Sequence, residues 1–253
     1  MDAFETIIYE KSGGIASITL NRPRALNAVN IKMRDELYEV LPAIDDDPEV
    51  LVCIIGGAGE RGFSAGADIT EFGTVPSQTI GRSVRWERDL WGQFLGVSKP
   101  LIAAIHGFAL GAGVEMSMCC DFRIASDDAR FGLPEVGIGM VPTAGGSQTM
   151  PRLAPLGMSA APVIIGEIID AAEALRIGLV QRVVPRDDLM PTAEDVARKL
   201  MSRGQTALRY AKEAIRRGLD LPLQQGLEME SRLFAAVLAT DDAREGIRAY
   251  SRG

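Results

Sequence analysis

The sequence predicts an α/β protein with a mainly parallel sheet, and three observations point to it. Short apolar runs rich in Val and Ile alternate with longer segments of helical spacing. Such repetition implies parallel strands, because each return across a sheet needs a crossover, usually a helix. From Gly146 onward the chain reads as mostly helical. Finally, 253 residues with 47% hydrophobic content can bury a sizeable core, as one domain or as a domain plus a helical tail.

In chain order, residues 4–9 and 15–20 read as two strands joined by Ser12-Gly13-Gly14. Residues 31–44 have helical spacing, with Leu37, Val40, Leu41 and Ile44 on one face. A buried strand is expected at 50–55, a helix at 81–95, a strand at 101–106 and a short apolar helix at 113–119. A strand follows at 122–125, and one short extended piece at 181–184. The sequence shows no internal repeat and no low-complexity stretch. A boundary near Pro185–Pro191 divides a core, residues 1–185, from a helical C-terminal region, residues 186–253. In that region Leu227, Leu233, Phe234 and Val237 form a stripe able to bury against its own domain or a neighbouring subunit.

The net charge is −7, with both signs interspersed, which disfavours nucleic acid and anionic membrane as partners. No stretch is long and apolar enough to span a membrane. Met1 is followed by Asp2 and Glu5 with no basic-then-apolar leader, so no export signal is expected. Cys53, Cys119 and Cys120 lie in apolar runs without zinc spacing and read as buried free thiols of a reducing, cytoplasmic compartment.

Chemistry concentrates around two glutamates beside Gly-rich turns. Glu115 lies in Gly111-Ala112-Gly113-Val114-Glu115, where a turn opens an apolar helix; Glu135 lies in the apolar loop Phe131-Gly132-Leu133-Pro134-Glu135. Apolar surroundings raise a carboxyl pKa, and two such groups can share a water as an acid/base pair. By spacing alone, two solvated loop acids are the better description. The segment Arg61-Gly62-Phe63-Ser64-Ala65-Gly66-Ala67-Asp68-Ile69 adds a second turn of small residues after a strand. N–H groups from this turn and from the one at 111–113 would together form an oxyanion hole for an acyl oxygen.

Two motifs mislead. Gly57-Ala58-Gly59-Glu60-Arg61-Gly62 spells G-x-G-x-x-G, but Phe63-Ser64-Ala65-Gly66 follows instead of a helix, so it reads as a surface turn. Gly62-Phe63-Ser64-Ala65-Gly66 spells G-x-S-x-G, but the only histidine, His106, does not come late in the chain as a hydrolase triad needs. Ser64 therefore reads as a small residue that lets the backbone close on a ligand, and His106 as a packing or turn residue.

Taken in order, Asn21-Arg22-Pro23-Arg24-Ala25-Leu26-Asn27-Ala28, Phe63-Ser64-Ala65-Gly66-Ala67-Asp68-Ile69, residues 99–107, Gly111-Ala112-Gly113-Val114-Glu115, Leu133-Pro134-Glu135 and residues 139–146 resemble the crotonase (enoyl-CoA hydratase/isomerase) superfamily. The match runs over most of the chain. The resemblance implies a spiral of repeated β-β-α units with a helical C-terminal region that forms trimers, often paired into hexamers. It implies hydration of a 2-enoyl-CoA, with Glu115 orienting and deprotonating water and Glu135 exchanging the α-carbon proton. It assigns the oxyanion donors to the N–H groups of Ala67 and Ala112. The CoA contacts fall to Arg24, Ala25, Leu26, Ala65, Asp68 and Ile69. Acyl-CoA is the expected partner, and no metal or cofactor is implied beyond the CoA of the substrate. Alternatives within the fold are an isomerase or a carnitinyl-CoA-like dehydratase; outside it, a thioester hydrolase or a silent acyl-CoA binder. Segment 73–96 would shape the acyl pocket, while its Trp86 and Trp91 read as core packing. Departures from the pattern are Thr70 in place of a common Lys, Thr143 in place of a Gly and Thr149 in place of an Arg.

Overall fold

A computed structural model describes residues 4–74 and 76–251. Nine strands are present among them: β1 (Ile7–Ser12), β2 (Ile15–Leu20), β3 (Val52–Gly57), β4 (Leu101–Ile105), β5 (Phe108–Leu110), β6 (Phe122–Ser126), β7 (Arg130–Gly132), β8 (Ile169–Asp170) and β9 (Arg182–Val184). The helices of the first half are α1 (Ile31–Asp46), α2 (Gln78–Glu87), α3 (Leu90–Gly96) and α4 (Ala112–Cys119). Those of the second are α5 (Gly146–Leu153), α6 (Leu156–Ala160), α7 (Ala171–Arg176), α8 (Leu189–Met201), α9 (Gln205–Gly218), α10 (Leu223–Leu238) and α11 (Asp241–Tyr250).

The main sheet has the order β1-β2-β3-β4-β6-β9. The β1–β2 pair is antiparallel, closing Ser12 against Ile15 across Gly13-Gly14; every other pairing in this sheet is parallel. Side-chain alternation along β4 splits the core in two. Leu101, Ala103 and Ile105 join α1, whose Met33, Leu37, Val40, Leu41 and Ile44 are buried, and the apolar helix α4. Ile102 and Ala104 face the other way, against Leu189, Ala193, Val196 and Ala197 of α8. All three cysteines are buried free thiols.

A second, smaller sheet, β5-β7-β8, lies beside the first. Short bridges extend it: Gly62 pairs with Gly107, Ser64 with Ala109 and Val29 with Ala67. Each turn of the chain therefore runs from a long strand to a short bridging segment and then to a helix, as in β4, β5 and α4. Repetition of that unit builds a crotonase-type spiral. Beyond Pro185 the chain is helical: α8 covers the sheet, while α9 and α10 pack together. Among the described residues no helix is long and apolar enough to cross a membrane.

Several expectations need correction. The first strand is shifted to Ile7–Ser12, because residues 5 and 6 turn to give their N–H groups to the buried Glu36 carboxylate on α1. The helix expected at 81–95 is two helices. Arg88 leaves helical geometry, and Asp89 starts α3 afresh by accepting the Gly92 N–H. Trp86 is exposed rather than core, whereas Trp91 packs on the core and stacks on Phe94 at 6.2 Å. Strands β5, β7 and β8 are two or three residues long, too short for alternation to reveal.

Candidate active site

Two turns meet at the site, and glycine lets them meet. Gly66 has φ +96°, and a Cβ there would stand 2.7 Å from the Leu110 carbonyl oxygen and 3.3 Å from the Ala112 nitrogen. A side chain at this point would push the turns apart. Backbone bonds knit the first turn to neighbouring segments. Ser64 N–H donates to Phe108 O, Leu110 N–H to Ser64 O and Ala65 N–H to Leu26 O. Val29 N–H donates to Gly66 O, and Asp68 N–H to Val29 O. The Ala67 N–H is not among these donors. Ala112 is the first residue of α4, where backbone N–H groups have no intrahelical acceptor. Both alanines line one cavity of about 670 Å³.

Glu115 sits on the first turn of α4 and is 2% exposed. Its Oε1 accepts the N–H groups of Ala144, at 2.9 Å, and Gly146, at 2.7 Å. A Cβ on Gly146 would come within 2.9 Å of that oxygen, so this approach also requires glycine. Glu135 stands on a 3-10 turn, Pro134–Ile138, rather than in an irregular loop. Its Oε1 lies over Gly111, 2.9 Å from where a Cβ would be. Its Oε2 is buried with no hydrogen-bond partner among the described residues. Burial pushes the Glu135 carboxyl above its ordinary value. Both carboxyl groups line the same cavity as Ala67 and Ala112.

The other expected site residues divide. Ala65, Asp68 and Ile69 line the cavity; Arg24, Ala25 and Leu26 do not. Arg24 and Ala25 are exposed on a 3-10 turn, Pro23–Ala25, and Leu26 touches the site through its carbonyl bond to Ala65. The Asp68 carboxylate is engaged, accepting the Thr70 N–H and hydroxyl and pairing with Arg22 at 2.9 Å. Thr70 thus serves that carboxylate where a Lys was the common residue. Thr143 lines the cavity, while the Thr149 hydroxyl donates back to Gly145 O. Ser64 is fully buried, its hydroxyl donating to Asn27 O; one His106 ring nitrogen is 3.0 Å from Gly59 O.

Sequence reasoning did not foresee the amides of Ala144 and Gly146 as the partners of Glu115. The motif containing them was visible, but nothing local says which carboxylate it meets. Trp91, Phe72, Met140 and Val141 also line the cavity, of which only the segment holding Trp91 was anticipated.

A spiral of β-β-α units, with two glutamates and two amide-bearing turns on one cavity, defines a protein of crotonase type. The family model described as enoyl-CoA hydratase/isomerase matches residues 10–252. A short-chain-enoyl-CoA hydratase of Clostridium acetobutylicum is 42% identical, over 96% of this chain and 94% of its own. A crotonyl-CoA hydratase of Syntrophomonas wolfei is 39% identical, over 98% and 95%. The crystal structure of an enoyl-CoA hydratase from Bacillus anthracis superposes with a TM-score of 0.92 at 37% identity, covering 98% of this chain and 96% of that one. The chain belongs to the enoyl-CoA hydratase/isomerase family.

Proposed function

We propose that this protein is an enoyl-CoA hydratase that reversibly adds water, in syn fashion, across the double bond of a short 2-enoyl-CoA. The observation that carries the reading is that Glu115 and Glu135 line one cavity together with Ala67 and Ala112. Hydration of a conjugated thioester needs a polarised carbonyl, a placed water and a proton source. The Ala67 and Ala112 N–H groups hold the thioester oxygen and stabilise the enolate that forms as oxygen adds at the β-carbon. Glu115, fixed by two amides, takes the proton from the attacking water. Glu135, favoured in its protonated form by burial, delivers a proton to the α-carbon. Dehydration runs the same steps backwards. The chemistry is addition of water without a change of oxidation state, so CoA of the substrate is the only carrier it requires.

The CoA chain follows the backbone of Ala65, Asp68 and Ile69 out of the cavity, with Arg24, Ala25 and Leu26 at its nucleotide end. Short acyl groups are the favoured substrates, in line with the names of the two relatives. The protein works as a homotrimer or a pair of trimers in the reducing cytoplasm. Exposed Ile215, Leu219, Leu223 and Phe234 on the C-terminal helices supply apolar surface for that association.

The test follows the loss of enoyl-thioester absorbance with crotonyl-CoA for the wild type, Glu115→Gln and Glu135→Gln. The expected result is rapid loss with the wild type and a fall of about 100- to 10,000-fold in each variant. Release of free thiol without hydration, or no reaction with short, branched and cyclic enoyl-CoAs alike, overturns the reading.

A further inference from the structure

We propose that the Arg22–Asp68 ion pair, seated on Asn27, is a positioning device that aims the Ala67 N–H at the thioester oxygen; the proposal rests on the hydratase reading above. Asp68 directly follows Ala67 in the chain, so whatever fixes the Asp68 side chain also fixes the peptide plane next to the donor. Both carboxylate oxygens are engaged. Oδ1 accepts from Thr70, at 3.2 Å from its nitrogen and 2.6 Å from its hydroxyl, and Oδ2 pairs with Arg22 Nη1 at 2.9 Å. The same Nη1 donates to Ala28 O at 2.6 Å, so one guanidinium clips the donor turn to Ala28. The side chains of Arg22 and Asp68 are only 23% and 12% exposed, which limits solvent screening of the pair.

Asn27 locks the other end. It is buried, and its Oδ1 accepts the Arg22 N–H at 2.9 Å. Its Nδ2 donates to Ala58 O at 2.9 Å and to Gly62 O at 3.0 Å. Its carbonyl accepts the Ser64 hydroxyl at 2.8 Å, and that hydroxyl in turn accepts the Gly66 N–H at 3.3 Å. Leu26 and Asn27, at φ +51° and +53°, are the only non-glycine residues with positive φ among those described. Two consecutive left-handed residues of this kind persist only where their surroundings over-determine them. Here the surroundings are the bonds that hold the donor turn. The side chains of the pair reach the reacting carbonyl only through the backbone, so the pair is a positioning element.

The experiment uses the full-length protein with 4-(dimethylamino)cinnamoyl-CoA, a chromophore whose absorbance moves to the red when its carbonyl is polarised, alongside crotonyl-CoA kinetics. The variants are Asp68→Asn, Arg22→Gln and the conservative Arg22→Lys, with thermal melting of each to identify folded enzyme. Asp68→Asn and Arg22→Gln are expected to lose most of the red shift and about 10- to 100-fold in kcat, with KM changed by less than about threefold. Arg22→Lys is expected to restore part of both. Full retention of the red shift and kcat overturns the proposal. So does a loss confined to KM, which would make the pair a CoA contact, and so does lowered melting with an unchanged shift in the folded fraction. If the wild type hydrates crotonyl-CoA without shifting the probe, the positioning role fails and the hydratase reading stands. If the wild type shifts the probe yet hydrates no enoyl-CoA, the hydratase reading fails, and the shifts of the variants still decide the role of the pair.

Discussion

Burying the Glu135 carboxylate with one oxygen unpartnered costs more stability than a neutral side chain there would. Its folded-state proton affinity is raised from the ordinary value of 4.5, so the folded protein binds this proton more tightly than the unfolded chain does. Stability linked to the group is therefore complete below pH 4.5 and is lost as pH rises through the higher folded value. Glu135→Gln escapes that loss. Its melting temperature is expected to exceed that of the wild type at pH 7, with the gap closing as pH falls towards 4.5. An equal gap at both pH values would contradict the assignment. On the proposed mechanism the same proton should give hydration a basic limb, with kcat/KM falling as Glu135 ionises in the free enzyme. Both glutamates were legible because each sits in a local motif. What holds them was not: Ala144 and Gly146 are 29 and 31 residues from Glu115, and only the spiral brings them together. The pairing of Asp68 was also hidden, since Arg22 looks like any loop arginine until the ion pair is seen.

Between elements, a polar joint ties α9 to the end of α4. Asp121 accepts from Lys212 at 2.8 Å and from Arg216 at 2.9 Å, and also receives the Leu101 N–H. Arg216 reaches Cys119 O and Arg123 reaches Cys120 O, so two guanidinium groups meet the negative end of the helix that carries Glu115. Asp121→Ala leaves two largely buried cations without their carboxylate and should cost about 3–5 kcal/mol in urea unfolding. A cost near that of an exposed pair, below about 1 kcal/mol, would show that α9 docks by apolar contact alone. Gly66→Ala attacks the other joint, where the turns abut, and should lose about 1–3 kcal/mol in the same assay. The long elements were readable from periodicity: β2 has the expected bounds, and α1 extends two residues further than its apolar stripe. The break at Arg88 was not, because Trp86 and Trp91 supply apolar residues on both sides of the Asp89 cap and disguise two helices as one.

At the scale of the molecule, strand–helix alternation conveyed a parallel sheet but not its spiral. The second sheet consists of strands and bridges of one to three residues, which exist only because the longer strands place them side by side. The family resemblance, carried by ordered motifs, supplied what periodicity could not. The proposed self-association predicts a solution mass that is a multiple of three protomers by light scattering, and Phe234→Asp should lower it. One further property of the whole follows from its cysteines. Burial pushes the Cys53 and Cys119 thiols up to about 12, and raises Cys120 as well. Thiolate, not thiol, reacts with maleimides, so the native protein offers almost none. An Arg203→Cys variant, at an exposed position, would take up one dye per folded chain and four once denatured, its own plus the three native thiols. The fold thus leaves its surface blank for a single chosen label, with no cysteine to remove first.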